Sequence, residues 1–161
     1  MMKYQQGLLN QLKRFSRPEV LSTPLQSLPQ VLTVDECVAR FAFDRDLFEG
    51  NSKAKPKLFM PENGTGTYET STCRKTNVTE ERIWELARTV RFPKVAIARA
   101  DLGVAVIHKS SLEAHAAPEL ELNYAEHSVI VGWPLGEDEK AQHKEIAINL
   151  ATEAKVIKVP S

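Results

Sequence analysis

Paired thiols are missing from this chain. Its two cysteines, Cys37 and Cys73, form no Cys-x-x-Cys motif, which argues against a disulfide scaffold and favours a reducing compartment with two inert thiols. Excess charge of either sign is missing too. The 21 lysines and arginines are balanced by 21 acidic residues, so net charge gives no prior for nucleic acid or an anionic membrane surface. Aromatics reach only 7%, too few for the interleaved basic and aromatic surface that stacks on bases. No apolar run approaches the ~20 residues a bilayer span needs. Near the start, Gly7-Leu8-Leu9 gives way to Asn10, Gln11 and Lys13, unlike the core of a secretion signal. The expectation is a soluble, cytoplasmic protein with no membrane association.

Familiar catalytic and metal patterns are also absent. His108, His115, His127 and His143 match neither a H-E-x-x-H helix nor a zinc-finger spacing. There is no G-x-S-x-G elbow, Walker loop or kinase signature. The Gly64-Thr65-Gly66 turn leads into strand-like sequence, whereas a phosphate-cradling loop feeds a helix N-terminus. No metal and no cofactor are expected.

What is present centres on residues 127–150. His127-Ser128-Val129-Ile130-Val131 before Gly132 and Pro134 predicts a buried strand, because β-branched side chains fit a pleated surface and glycine and proline end pairing. From Asp138 the spacing becomes helical, with Ala141, Ile146, Ala147, Leu150 and Ala154 near one stripe that should cover the sheet. His143 falls on the polar side of that helix.

Elsewhere, residues 3–17 predict an amphipathic helix with Leu8, Leu9, Leu12 and Phe15 on one face, and residues 18–30 a proline-rich connector. Thr33-Val34-Asp35-Glu36 has the form of a capping box, so a helix over 34–41 followed by a strand is expected, against a competing all-strand reading. Residues 57–74 read as a hairpin whose first arm is Leu58-Phe59-Met60. A helix begins at Asn77 or Thr79 and presents Ile83, Leu86, Ala87 and Val90 on one face. Strands follow over 94–100, within 109–117 and over 156–159, with a second apolar run at 103–107 and an acidic loop at 118–126. The fold class expected is a single α+β domain over 33–161, a mixed or mainly antiparallel sheet of five to six strands packed by two principal helices. Residues 1–32 form a helical arm and connector able to mediate dimerisation.

Four positions carry candidate chemistry besides His127. An imidazole at a strand mouth beside Glu126 suits a general acid or base, although a ring N–H satisfying a backbone carbonyl is the favoured reading. Arg99 and Asp101 share a strand face and suit an anion anchor, with a structural salt bridge favoured. Arg74 stands just before a helix start, where free amides attract anions. Trp133 is able to stack on a ligand, though a core role is favoured.

The order Arg40-Phe41, Lys55-Pro56-Lys57-Leu58-Phe59-Met60-Pro61, Arg74 before Thr79-Glu80-Glu81-Arg82-Ile83-Trp84, Arg99-Ala100-Asp101-Leu102 and His127-Ser128-Val129-Ile130-Val131-Gly132-Trp133-Pro134 resembles a family of small uncharacterised bacterial proteins. Some of these look like passengers of mobile elements such as integron gene cassettes. The similarity covers residues 38–157 and implies that Arg74, Arg99, Asp101 and His127 occupy recurring polar positions. Cys73 and Thr76 depart from that pattern. The leading expectation is a small binding or interaction protein for an anionic ligand or a protein partner. The alternative is an enzyme acting on a phosphorylated or nucleotide-like substrate, with Arg74 and Arg99 holding the anion and His127 moving a proton.

Overall fold

The structure, a computed structural model, describes residues 31–50, 52–64 and 67–160. The N-terminal helix, its connector and dimerisation through that arm lie outside the described residues. Strands are β1 (Cys37–Ala42), β2 (Phe48–Glu49), β3 (Lys53–Ala54), β4 (Glu62–Asn63), β5 (Tyr68–Arg74), β6 (Ala98–Gly103), β7 (Glu113–Ala116), β8 (His127–Val131) and β9 (Lys155–Lys158). Helices are α1 (Glu80–Thr89), α2 (Val104–Lys109) and α3 (Glu139–Glu153). This is the expected α+β class. The main sheet runs β7-β8-β5-β1-β6-β9 with every pairing antiparallel, β4 pairs with β5, and β2 and β3 form a separate ribbon.

Both faces of the sheet are covered, and alternation along each strand decides which residue goes where. Val38 and Ala42 on β1, Ala98, Ala100 and Leu102 on β6, and Ile130 on β8 join Ala147, Leu150 and Ala151 of α3 in one core. Alanines on both helix and sheet let the two approach closely. The opposite parity, Ala39 and Phe41 on β1 with Cys73 on β5, packs against Ile83, Trp84, Leu86 and Ala87 of α1. Thr79 caps α1, its hydroxyl accepting from the Arg82 amide at 3.1 Å. In β8, Val129 is buried and Val131 half-buried, as the strand reading requires.

Four expectations are corrected. Glu36 reaches back to the Thr33 amide at 2.8 Å, as in a capping box, yet the chain makes one turn and then extends as β1. Buried side chains are needed on both sides of this central strand, and only a period of two supplies them. Leu58 and Phe59 are consecutive and both buried in the α3 layer, which a strand does not allow, so Pro56–Phe59 forms a 3₁₀ turn. The hairpin arm is instead β4, with Glu62 opposite Glu69. The strand expected over 94–100 begins only at Ala98 and runs on to Gly103, and the apolar run that follows it enters α2, with Val104 and Ile107 buried at helical spacing.

The fourth correction concerns α3. His143 is buried at 2% exposure, its Nε2 2.6 Å from the Pro134 carbonyl oxygen and its ring edge-on to Tyr68 and Trp133. Ala141 is exposed. His143 stands four residues before Ala147 and seven before Leu150, so it lies on the buried stripe itself, and the Pro134 carbonyl supplies the partner its ring needs there. Replacing Ile130 by Ala should therefore cost about 2–5 kcal/mol in urea unfolding, while Ala141→Ser should stay within about 0.5 kcal/mol of the parent. A large loss in the second variant would mean that α3 is rotated from the orientation described.

Candidate functional site

The structure scatters the polar residues singled out from sequence. Arg74 is buried and donates from Nη2 to Glu36 Oε1 at 2.6 Å. It shares its register with Val38, whereas its neighbour Cys73 pairs with Ala39 and His127, so Arg74 projects to the α3 side of the sheet. Arg99 is buried on the α1 side. Its guanidinium grips both oxygens of Glu80 at 2.7 and 2.8 Å, donates from Nε to Asp101 at 2.9 Å, and lies 4.8 Å over the Trp84 ring. Lys75 adds a second cation to Asp101 at 2.7 Å.

Burial works against the charge on Arg99, but its hydrogen bonds to Glu80 and Asp101 outweigh that and raise its pKa. The same guanidinium holds the Glu80 carboxyl below its ordinary value. These charges are already neutralised, and they mount α1 on the sheet. Trp133 is buried, and its indole N–H is spent on the Ile130 carbonyl at 3.1 Å, a packing role.

His127 stands apart from both arginines in environment. Arg99 on β6 and His127 on β8 are separated by three strand spacings, about 14 Å at ~4.8 Å each. The imidazole instead opens on a cavity of about 230 Å³ formed where β5 leaves β1. The two strands share only the register pairs Val38 with Arg74 and Ala39 with Cys73. Beyond them the gap is filled by Arg40, whose Nε donates to the Leu58 carbonyl at 3.0 Å and whose Nη1 donates to the Ser71 carbonyl at 2.9 Å. One side chain thus satisfies backbone oxygens that strand pairing does not reach.

Around Arg40 the cavity is walled on one side by Phe41, Phe43, Val90 and Arg91, with the Arg91 guanidinium 5.0 Å over the Phe43 ring. On the other side stand Tyr124, His127 and Glu119, with Glu62, Ser71 and Thr72 completing the lining. The 119–124 loop is held in place by the Glu119 and Tyr124 backbone pairing, by Tyr124 Oη donating to the Thr72 carbonyl at 3.3 Å, and by Arg82 donating to the Asn123 carbonyl at 2.6 Å. Arg82 also clamps Glu126 through Nε at 2.8 Å.

His127 Nδ1 lies 2.6 Å from the Ala117 carbonyl oxygen, so this nitrogen carries the proton and donates it. In the neutral form of the ring, Nε2 then keeps a lone pair. Nε2 makes no hydrogen bond, and no buried polar side-chain atom among the described residues lacks a partner, so Nε2 opens to solvent. Neither Arg40 nor Arg91 is in an ion pair among the described residues. Burial lowers the Arg40 pKa from its ordinary value, Glu62 opposes that, and the charge of Arg91 lowers it further, since the two cations share one space. Beneath the cavity, burial pushes the Cys73 thiol up to about 12, which leaves it protonated and unreactive at neutral pH.

Sequence reasoning passed over Arg40, Arg91, Glu119 and Tyr124 as site residues. For Arg40 a signal exists: it is the one charge inside the apolar stretch Cys37-Val38-Ala39-Arg40-Phe41-Ala42. The described residues contain no cluster of histidine, cysteine and acidic side chains able to hold a metal ion. No helix among them is long and apolar enough to cross a membrane. No protein-family model, curated protein or solved structure matches the chain.

The ion cluster under α1 sets two expected outcomes. Arg99→Ala should cost somewhat less than the ~3–5 kcal/mol of a fully uncompensated buried charge in urea unfolding, because Asp101 loses Arg99 but keeps Lys75. Because the folded Glu80 carboxyl titrates below its ordinary 4.5, its contribution is present above that pH and is lost as pH falls through the folded value. The parent should therefore exceed Glu80→Gln in stability at pH 6 and converge with it in strong acid. A constant gap across that range would show that Glu80 is not linked to Arg99.

Proposed function

We propose that this protein is a small cytoplasmic binding protein whose site is the cavity between β1 and β5, and that its ligand is a small anion. The observation that carries this reading is the Arg40 guanidinium, partly buried, open to the cavity and without a carboxylate partner among the described residues. An unpaired cation in such a place costs free energy that an anion recovers through charge-assisted hydrogen bonds. Arg91 adds a second cation at the rim. The cavity of about 230 Å³ falls below the ~300–1,000 Å³ of sites for drug-sized ligands, so a small metabolite suits it. The resemblance described above points to a family of small bacterial proteins, some of which look like passengers of mobile elements.

The reading as an enzyme with Arg74 and Arg99 as anion holders has less support, since neither lines the cavity with His127. Inorganic phosphate and 3-phenylpropanoate, titrated at constant ionic strength, should shift the amide resonances of Phe41, Ser71 and His127. Arg91→Ala should weaken binding about tenfold or more, the worth of a charge-assisted hydrogen bond of ~1.5 kcal/mol. Ser71→Phe should plug the cavity and abolish binding, while leaving the backbone oxygen that Arg40 needs. His127→Ala should lower both melting temperature and affinity. A lower melting temperature with unchanged affinity would confine His127 to bonding Ala117, and absence of any cavity shift with either probe would remove the reading.

A further inference from the structure

The cavity is not uniformly cationic, and the way its charges are divided narrows the ligand. From β1 and the residues after α1 come hydrogen-bond donors with positive charge, Arg40 and Arg91. From β8 and the loop before it come acceptors, the Nε2 lone pair of His127 and the carboxylate of Glu119. Glu119 Oε1 lies 3.5 Å from His127 Nδ1, so the two groups occupy the same wall. Among the described residues, neither Glu119 nor Glu62 forms an ion pair with either arginine of the cavity. Opposite charges facing one small space without closing on each other leave both signs to be met by what enters. Between the walls, Phe41, Phe43 and Tyr124 supply apolar and aromatic surface.

Resting on the anion reading above, we propose that the ligand is a zwitterion of the α-amino-acid class. Its carboxylate meets Arg40 and Arg91, its ammonium donates to Glu119 and to His127 Nε2, and a compact apolar side chain lies between Phe41, Phe43 and Tyr124. A plain carboxylate or phosphate satisfies only the first wall. It also brings negative charge toward Glu119, which disfavours it. The lone pair at Nε2 points the same way, because it asks for a donor that a carboxylate does not have.

The test compares three probes of nearly equal shape by calorimetric titration of the full chain: L-phenylalanine, 3-phenylpropanoate, which lacks the amine, and 2-phenylethylamine, which lacks the carboxylate. L-leucine serves as a second zwitterion of smaller body. The expected result is that at least one zwitterion binds ten times or more tightly than either single-charge probe. Glu119→Gln, a substitution at a half-exposed side chain whose loop is held by backbone bonds, should weaken the zwitterion about tenfold and leave 3-phenylpropanoate unchanged. If 3-phenylpropanoate binds as tightly as L-phenylalanine, or Glu119→Gln affects both alike, the zwitterion proposal is overturned while the anion site stands. If neither zwitterion, nor 3-phenylpropanoate, nor inorganic phosphate binds, both readings fall together.

Discussion

The separation of β5 from β1 is the constraint on which the site depends. An antiparallel pair that ran its full length would bury the backbone groups of both strands and leave no opening on the α1 face. Here pairing stops after two residues, and Arg40 takes over, donating to the carbonyls of Leu58 and Ser71. A guanidinium suits this position because its planar fork reaches two oxygens that belong to different segments. The same geometry leaves part of the cation facing the cavity, so one side chain both completes the backbone bonding and creates an electrostatic demand. Structure and binding chemistry meet in a single residue.

The two layers on the sheet solve different problems. Under α3 the helix meets a mainly apolar surface with small residues on both sides, and the buried polar groups of that face are each bonded: His143 to Pro134, Thr70 to the Phe59 carbonyl, Thr72 to Ser128 and Arg74 to Glu36. Under α1 the sheet presents Arg99 and Asp101, and the helix answers with Glu80 and the face of Trp84. Buried ion pairs gain little over apolar packing of equal volume, because desolvation consumes most of the attraction. Their value here is directional. Arg99 reaches Glu80 in the first turn of the helix, which ties the helix start to one strand and leaves its far end, with Val90 and Arg91, to form a wall of the cavity. Arg82 acts in the same manner on the loop before β8 through Glu126 and Asn123.

Much of this architecture is legible in the chain. The β-branched run at Val129-Ile130-Val131, the hydroxyl cap at Thr79 and the terminal strand at 155–158 all carry local signals that agree with their environments. Short apolar stretches are another matter. Cys37 to Ala42 and Gly103 to Ile107 each fit helix or strand, and they resolve in opposite directions because the first is sandwiched between two layers while the second closes over one edge of the α3 core. Leu58 and Phe59 illustrate the same limit, since two adjacent buried residues are compatible with a strand buried on both faces and with a turn tucked under a helix.

For the site, residue type was a weaker guide than position. Arginine is the natural candidate for anion binding, and four of them, Arg40, Arg74, Arg91 and Arg99, lie in or beside apolar sequence. Which ones meet carboxylates and which do not depends on chain crossings dozens of residues apart: Arg74 finds Glu36, Arg99 finds Glu80, and Arg40 finds only backbone oxygens. The sequence by itself determined the periodicities, and through them the α+β class, the capped helix α1 and the buried strand β8, because those depend on near neighbours. Only the tertiary structure decided where the sheet opens and which cations remain unmatched, because charge pairing and backbone satisfaction are settled by contacts between segments that no local pattern encodes.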